Sequence, residues 1–329
     1  MKKYLVVGAN SFSGAHFVTH LLSRGHNVFG LSRSPEPGYP FLPRLWSEWP
    51  GSYSFHQFDL NSGFGALRAL VEDISPQIVV NFAAQGMVPQ SWEAPWDWFE
   101  TNTVGLSQLL QALLGLNSLT KYVHVSTPEV YGSTTGWLPE SWDFRPSTPY
   151  ATSRAAGDWH VCNLAKEKGL PAVLTRAANV YGPGQQVYRV IPRAFISGIF
   201  GEAFPLEGRG QSTRSFIHID DVCEATYLLS EGDFEEPVFH ISTNQLVSIA
   251  SLVSTISEMM AGKYSLDIVE HPERVGKDLA YQLNSDLLRK RTGWSDKVDL
   301  EDGLSGVFAW AERHVRDLRS VSREYVHKP

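Results

Sequence analysis

Compact apolar runs alternate with amphipathic stretches through the first half of the chain. "YLVV" (4–7), "VFGL" (28–31), "IVVNF" (78–82), "YVHVS" (122–126) and "AVLTRA" (172–177) are short, β-rich runs of strand length. Between them, residues 13–24, 63–74, 98–115 and 149–168 read as helices. Strands that alternate with helices predict an α/β fold, a doubly wound parallel sheet covered on both faces. Ligands of such sheets gather at the carboxyl ends of the strands.

After residue 180 the alternation breaks. "YGPGQQ" reads as loop, 189–200 as helix, and "STRSFIHIDDV" as a strand entering a helix. "VFHIST" (238–243) is a further strand, and 246–260 and 299–313 are helices. The expected organisation is a dinucleotide-binding domain over 1–178 and a smaller α/β substrate-binding lobe over 179–329. Segments around 213–243 are expected to return to the main sheet. The Pro-rich stretch "SPEPGYPFLPRLW" (34–46) is a surface loop, since strands resume after it.

Composition narrows the function classes. The formal net charge is −7 with no block of lysine and arginine, which argues against nucleic acid or a membrane surface as partner. Two cysteines, Cys162 and Cys223, require no disulfide framework and suit a reducing cytoplasm. The first apolar run is about four residues, shorter than the ~7–15 of a signal core. No run of ~18 apolar residues is present. A cytoplasmic location is the expectation.

The first strand leads into "VVGANSFSG", with Gly8 and Gly14 at a strand-to-helix turn. Backbone N–H groups and a helix N-terminus there suit a pyrophosphate. Ser11 and Phe12 complete the expected loop; serine stands at the middle position, where glycine approaches phosphate more closely. The second strand ends in Ser32 and Arg33 rather than in the acidic residue that holds a ribose 2′-hydroxyl. The cofactor expected is NAD or NADP, and the cation favours the 2′-phosphate of NADP. Asp59 and Leu60, after a third strand, are placed to meet the adenine, and Ala83 lies beside the cofactor after the fourth.

"STPYATSRAA" (147–156) makes Thr148 an N-cap and Pro149 the first helical residue. Tyr150 and Arg154 then share one helix face. With these residues the chain resembles the extended short-chain dehydrogenase/reductase family, in particular its nucleotide-sugar epimerases and dehydratases, which have a Rossmann-type fold. The resemblance rests on "GANSFSG", "NFAAQ", "HVSTPEVYG", "PYATSR", "RAANVYGPGQ" and "STRSFIHIDDV", in that order. It implies that Tyr150 exchanges a hydroxyl proton while hydride moves between sugar and nicotinamide. Its partner in the family is a lysine; here it is Arg154. Bringing a phenol from pKa ~10 to ~7 takes about 4 kcal/mol. A unit positive charge ~5 Å away at a dielectric of ~20 supplies about 3 kcal/mol, whichever side chain carries it. Arginine thus preserves the charge and changes the shape of the contact.

The same resemblance assigns the reaction. Thr127 and Glu129 in "VSTPEVYG" look like the Thr-x-Glu of sugar 4,6-dehydratases and related decarboxylases, with Thr127 on the sugar O4 and Glu129 as base. Oxidation at C4 acidifies the C5 hydrogen, a carboxylate removes it, and the C6 hydroxyl leaves as water. Pro128, between them, cannot donate a proton. Asn179, Arg193 and Arg214 are the expected substrate-phosphate contacts, a role that suits the arginine fork. The closing segment lacks the arginine usual after Asp278. A nucleotide-sugar 4,6-dehydratase is the leading reading. A 4-epimerase or decarboxylase on the same scaffold and a non-catalytic dinucleotide sensor are the alternatives. His16 and His20 stand four apart without a third ligand, so no metal is expected. A homodimer paired through 98–115 and 149–168 is the expected assembly, with the many tryptophans in core and subunit packing.

Overall fold

The computed structural model describes residues 1–272 and 282–328. Seven parallel strands form the central sheet: β1 (Lys3–Val7), β2 (Asn27–Ser32), β3 (Ser52–Gln57), β4 (Ile78–Asn81), β5 (Lys121–Val125), β6 (Ala172–Ala177) and β7 (Val238–Ile241). Their spatial order is β7-β6-β5-β4-β1-β2-β3. The order reverses between β1 and β4, the switch point at which a crevice opens at the carboxyl ends. The fold is the expected Rossmann-type doubly wound sheet.

The strand sequences are apolar on both faces because both are covered. Tyr4 and Val6 face a core that includes Phe17, Leu21 and Phe239. Leu5 and Val7 point the other way, into a core with Leu67, Val71 and Leu110. The helices α1 (Phe12–Ser23), α2 (Phe64–Ile74), α3 (Leu106–Leu113) and α4 (Pro149–Lys168) occupy the predicted stretches. One differs in detail: the expected helix over 98–115 is a short helix Pro95–Phe99, a π-helical turn Glu100–Gly105 and then α3.

The second half adds α5 (Val190–Phe200), α6 (Ile219–Glu231), α7 (Ile249–Met260) and α8 (Leu300–Arg313). α5, α7 and α8 enclose a separate core around Phe195, Ile256 and Val307. Small two-stranded pairings frame it: Asn179–Tyr181 runs parallel to Phe216–His218, and Ala203–Glu207 to Asp267–His271. Among the described residues no helix is long and apolar enough to cross a membrane.

Candidate active site

A solvent-open cleft of about 660 Å3 runs along the carboxyl ends of the strands and under the second core. That lies within the ~300–1,000 Å3 of a ligand site. Its lining includes Ser11, Phe12, Thr127, Glu129, Tyr150, Arg154, Asn179, Arg193 and Arg214, nine of the residues singled out from the sequence.

At the head of β1, Gly8 has φ +80°, and a Cβ there would stand 2.6 Å from the Ala83 nitrogen. A Cβ on Gly14 would stand 2.2 Å from the Gly8 carbonyl oxygen. Only glycine fits either place, so the loop packs tightly against β4's exit and leaves a cradle before α1. Ser11 caps α1: its hydroxyl donates to the Gly8 carbonyl (2.7 Å) and accepts from the Gly14 N–H (3.1 Å). The serine thus holds the turn from within. Phe12 opens α1 and is buried. Asp59 accepts from the Asn61 N–H (3.0 Å), and Leu60 is packed into the core with Leu31 and Leu67.

β5 feeds Ser126 and Thr127 into a 3-10 turn, Pro128–Tyr131, that the Thr127 hydroxyl caps by accepting from the Glu129 N–H (3.3 Å). Across from it, Thr148 caps α4 by accepting from the Ala151 N–H (3.1 Å). The two caps bring Thr127, Glu129 and Tyr150 together. Tyr150 is 9% exposed. Burial raises its pKa above the ordinary phenol value and Glu129 adds to the rise; Arg154, a hydrogen bond with Thr127 and Arg189 oppose it. The expected lowering by a nearby cation is therefore absent from the chain alone: dehydration of the phenol and one carboxylate outweigh two guanidiniums.

Arg154 is 3% exposed and donates through Nη2 to the Val125 carbonyl, with His124 Nε2 3.4 Å away. Behind it lies a buried polar chain that the sequence did not reveal. Asp158 and Arg176 pair at 2.8 Å with no exposure on either side chain. Asp158 also accepts from Ser126 Oγ (2.7 Å), and the Tyr122 hydroxyl lies 3.0 Å from His124 Nδ1. Burial and the two guanidiniums hold His124 well below its usual pKa, so its ring is neutral. Asn102, in the π-helical turn, accepts from the Gln85 N–H (2.9 Å) and donates to the Gln85 carbonyl (3.1 Å) and to Ser153 Oγ (3.0 Å). It fixes the loop after β4 against α4.

A family model for GDP-mannose 4,6 dehydratase matches residues 5–307. The chain belongs to that family. Similar members include a dTDP-glucose 4,6-dehydratase of Xanthomonas campestris pv. campestris, 30% identical over 94% of this chain and 93% of that protein. A dTDP-glucose 4,6-dehydratase of Streptomyces niveus is 33% identical over 73% and 72%. Among solved structures, a dTDP-glucose 4,6-dehydratase from Streptomyces venezuelae with NAD bound superposes with a TM-score of 0.88 at 27% identity, covering 97% of this chain and all of that one. The family is one of enzymes that depend on a nicotinamide dinucleotide.

Family membership bears on the cofactor. The preference for NADP inferred from Arg33 finds no support, because the solved relative holds NAD. In the structure Arg33 Nη2 donates to the Lys328 main-chain carbonyl at 2.6 Å. Asp278 lies outside the described residues. Arg189 and Tyr325 are among the cleft residues that escaped the sequence reading. Arg189 stands at the N-cap of α5, where the helix dipole disfavours a cation; that misplacement was a readable signal. Tyr325 lines the cleft from the far end of the chain, and nothing local announced it.

Proposed function

We propose that the chain is a nucleotide-sugar 4,6-dehydratase that uses NAD. The observation that carries this reading is the meeting of Thr127, Glu129 and Tyr150 at the end of β5, in one cleft, with Glu129 close enough to act on the Tyr150 pKa. An epimerase needs a hydroxyl and a phenol there but has no use for that carboxylate.

The Gly8–Gly14 cradle and the α1 N-terminus would hold the pyrophosphate, and Arg154 would face the nicotinamide ribose. When bound, the dinucleotide supplies a hydride acceptor that returns the hydride to the sugar. Thr127 orients the C4 hydroxyl, and Tyr150 takes its proton. Glu129 takes the C5 proton. With Pro128 unable to donate, the same carboxyl hands that proton to the departing C6 hydroxyl, which leaves as water. The C5 position is reprotonated at the end, balanced by the proton that Tyr150 gained. Asn179, Arg193 and Arg214 would hold the diphosphate, since all three line the cleft beyond the strand ends. A homodimer paired through α3 and α4 is supported by Trp92, Trp96 and Trp159, large rings left exposed on that side.

The test is incubation with NAD and a panel of nucleoside-diphosphate sugars, read by mass. Loss of one water with formation of a 4-keto-6-deoxy product is expected. Tyr150→Phe should abolish that product while binding NAD within about threefold of the parent. A product of unchanged mass and inverted C4 would assign the epimerase reaction instead.

A further inference from the structure

The chain's closing segment runs through the dinucleotide groove. The Lys328 main-chain carbonyl accepts from Arg33 Nη2 at 2.6 Å and from Gln85 Nε2 at 2.7 Å. Arg33 follows β2 and Gln85 follows β4, and β1 lies between those strands. The carbonyl therefore stands in front of the end of β1, where the Gly8–Gly14 loop begins. Lys328 itself is exposed, so the carbonyl sits at the mouth of the groove, reached from inside by the buried Gln85 and from outside by Arg33.

The residues before it are docked as specifically. The His327 ring stacks on Trp98 at 4.9 Å between centroids and 13° between planes, and its Nε2 lies 2.6 Å from Asp97 Oδ2. Tyr325 lines the cleft edge-on to Tyr188 at 5.4 Å. Glu324 pairs with Arg193, another cleft residue, at 2.8 Å. Tyr325 and His327 are half-buried by these contacts, while Glu324, Val326 and Lys328 stay exposed.

We propose that the segment Glu324–Lys328 is an internal ligand of the dinucleotide groove, which docks there when the cofactor is absent and must leave for the cofactor to enter. The proposal rests on the reading of that groove as a dinucleotide site. Two ligands that need the same space bind in competition, and apparent affinity falls by the fraction of time the groove is open. A strap docked about nine-tenths of the time weakens cofactor binding about tenfold.

Calorimetric titration of NAD into three proteins tests this: the full chain, a chain ending at Arg323, and the full chain carrying Tyr325→Ala with His327→Ala. Both altered proteins are expected to bind NAD about tenfold more tightly. Amide hydrogen exchange over 325–328 in the unaltered chain is expected to accelerate when NAD is added. Equal affinities, weaker binding by the altered proteins, or slower exchange with NAD would overturn the strap and leave the dinucleotide reading intact. Failure of all three proteins to bind NAD would overturn both.

Discussion

Replacing Asp158 by asparagine should destabilise this protein far more than a surface carboxylate would. Asp158 and Arg176 are wholly buried and 2.8 Å apart, and Asp158→Asn leaves the Arg176 cation inside without its ion-pair partner, with Glu140 the remaining nearby carboxylate. Removing one member of a buried pair costs about 3–5 kcal/mol. Three aromatic rings, of Tyr131, Trp142 and Phe144, lie 4.8, 5.3 and 4.8 Å from the guanidinium carbon and relieve part of that cost. The lower end, about 3 kcal/mol, is the figure to expect. With a urea slope of about 3 kcal/mol/M, the unfolding midpoint falls by about 1 M. Tryptophan fluorescence reads it directly, since Trp98 and Trp294 are buried. The double variant Asp158→Asn with Arg176→Met removes the stranded charge and should regain most of the loss. A midpoint shift under about 0.3 M in the single variant, or a double variant weaker than the single, would refute the electrostatic account.

Two further outcomes follow from the site. Glu129→Gln removes a charge that raises the Tyr150 pKa, so the rise of C4 oxidation with pH should move to lower pH while water loss stops. Single-turnover absorbance of the reduced nicotinamide across pH measures this, and a move to higher pH contradicts it. Gly14→Ala would set a Cβ 2.2 Å from the Gly8 carbonyl oxygen and should weaken NAD binding at least tenfold by titration, with circular dichroism unchanged.

Local signals made much of the fold legible. Thr148 and Pro149 mark the start of a helix that the structure gives as Pro149–Lys168, closed by Gly169 in the left-handed conformation. β3 had no stated bounds because "SYSFHQ" is half polar, as an edge strand next to a Pro-rich loop can be. The π-helical turn was hidden because it adds a single residue inside a stretch, 98–115, that otherwise reads as helix. The aim of Arg154 was out of reach as well. It depends on His124 and Val125, His124 in turn on Asp158 at 3.5 Å, and that carboxylate on Arg176 from the neighbouring strand. Spacing four apart on one helix placed Tyr150 and Arg154 on a common face; it could not say that burial would govern the phenol.

The clamp between Asn102 and Gln85 also limits which lengths of chain evolution can use there. A π turn holds one residue more than an α turn. Deleting any one of the other residues of 100–105 would rewind the helix and swing Asn102 roughly 100° away from the loop. Insertions between Gly86 and Ala94 face no such constraint, since they lie in the loop whose two ends the clamp holds. Length can change on that side, while a fixed count must be kept on the other.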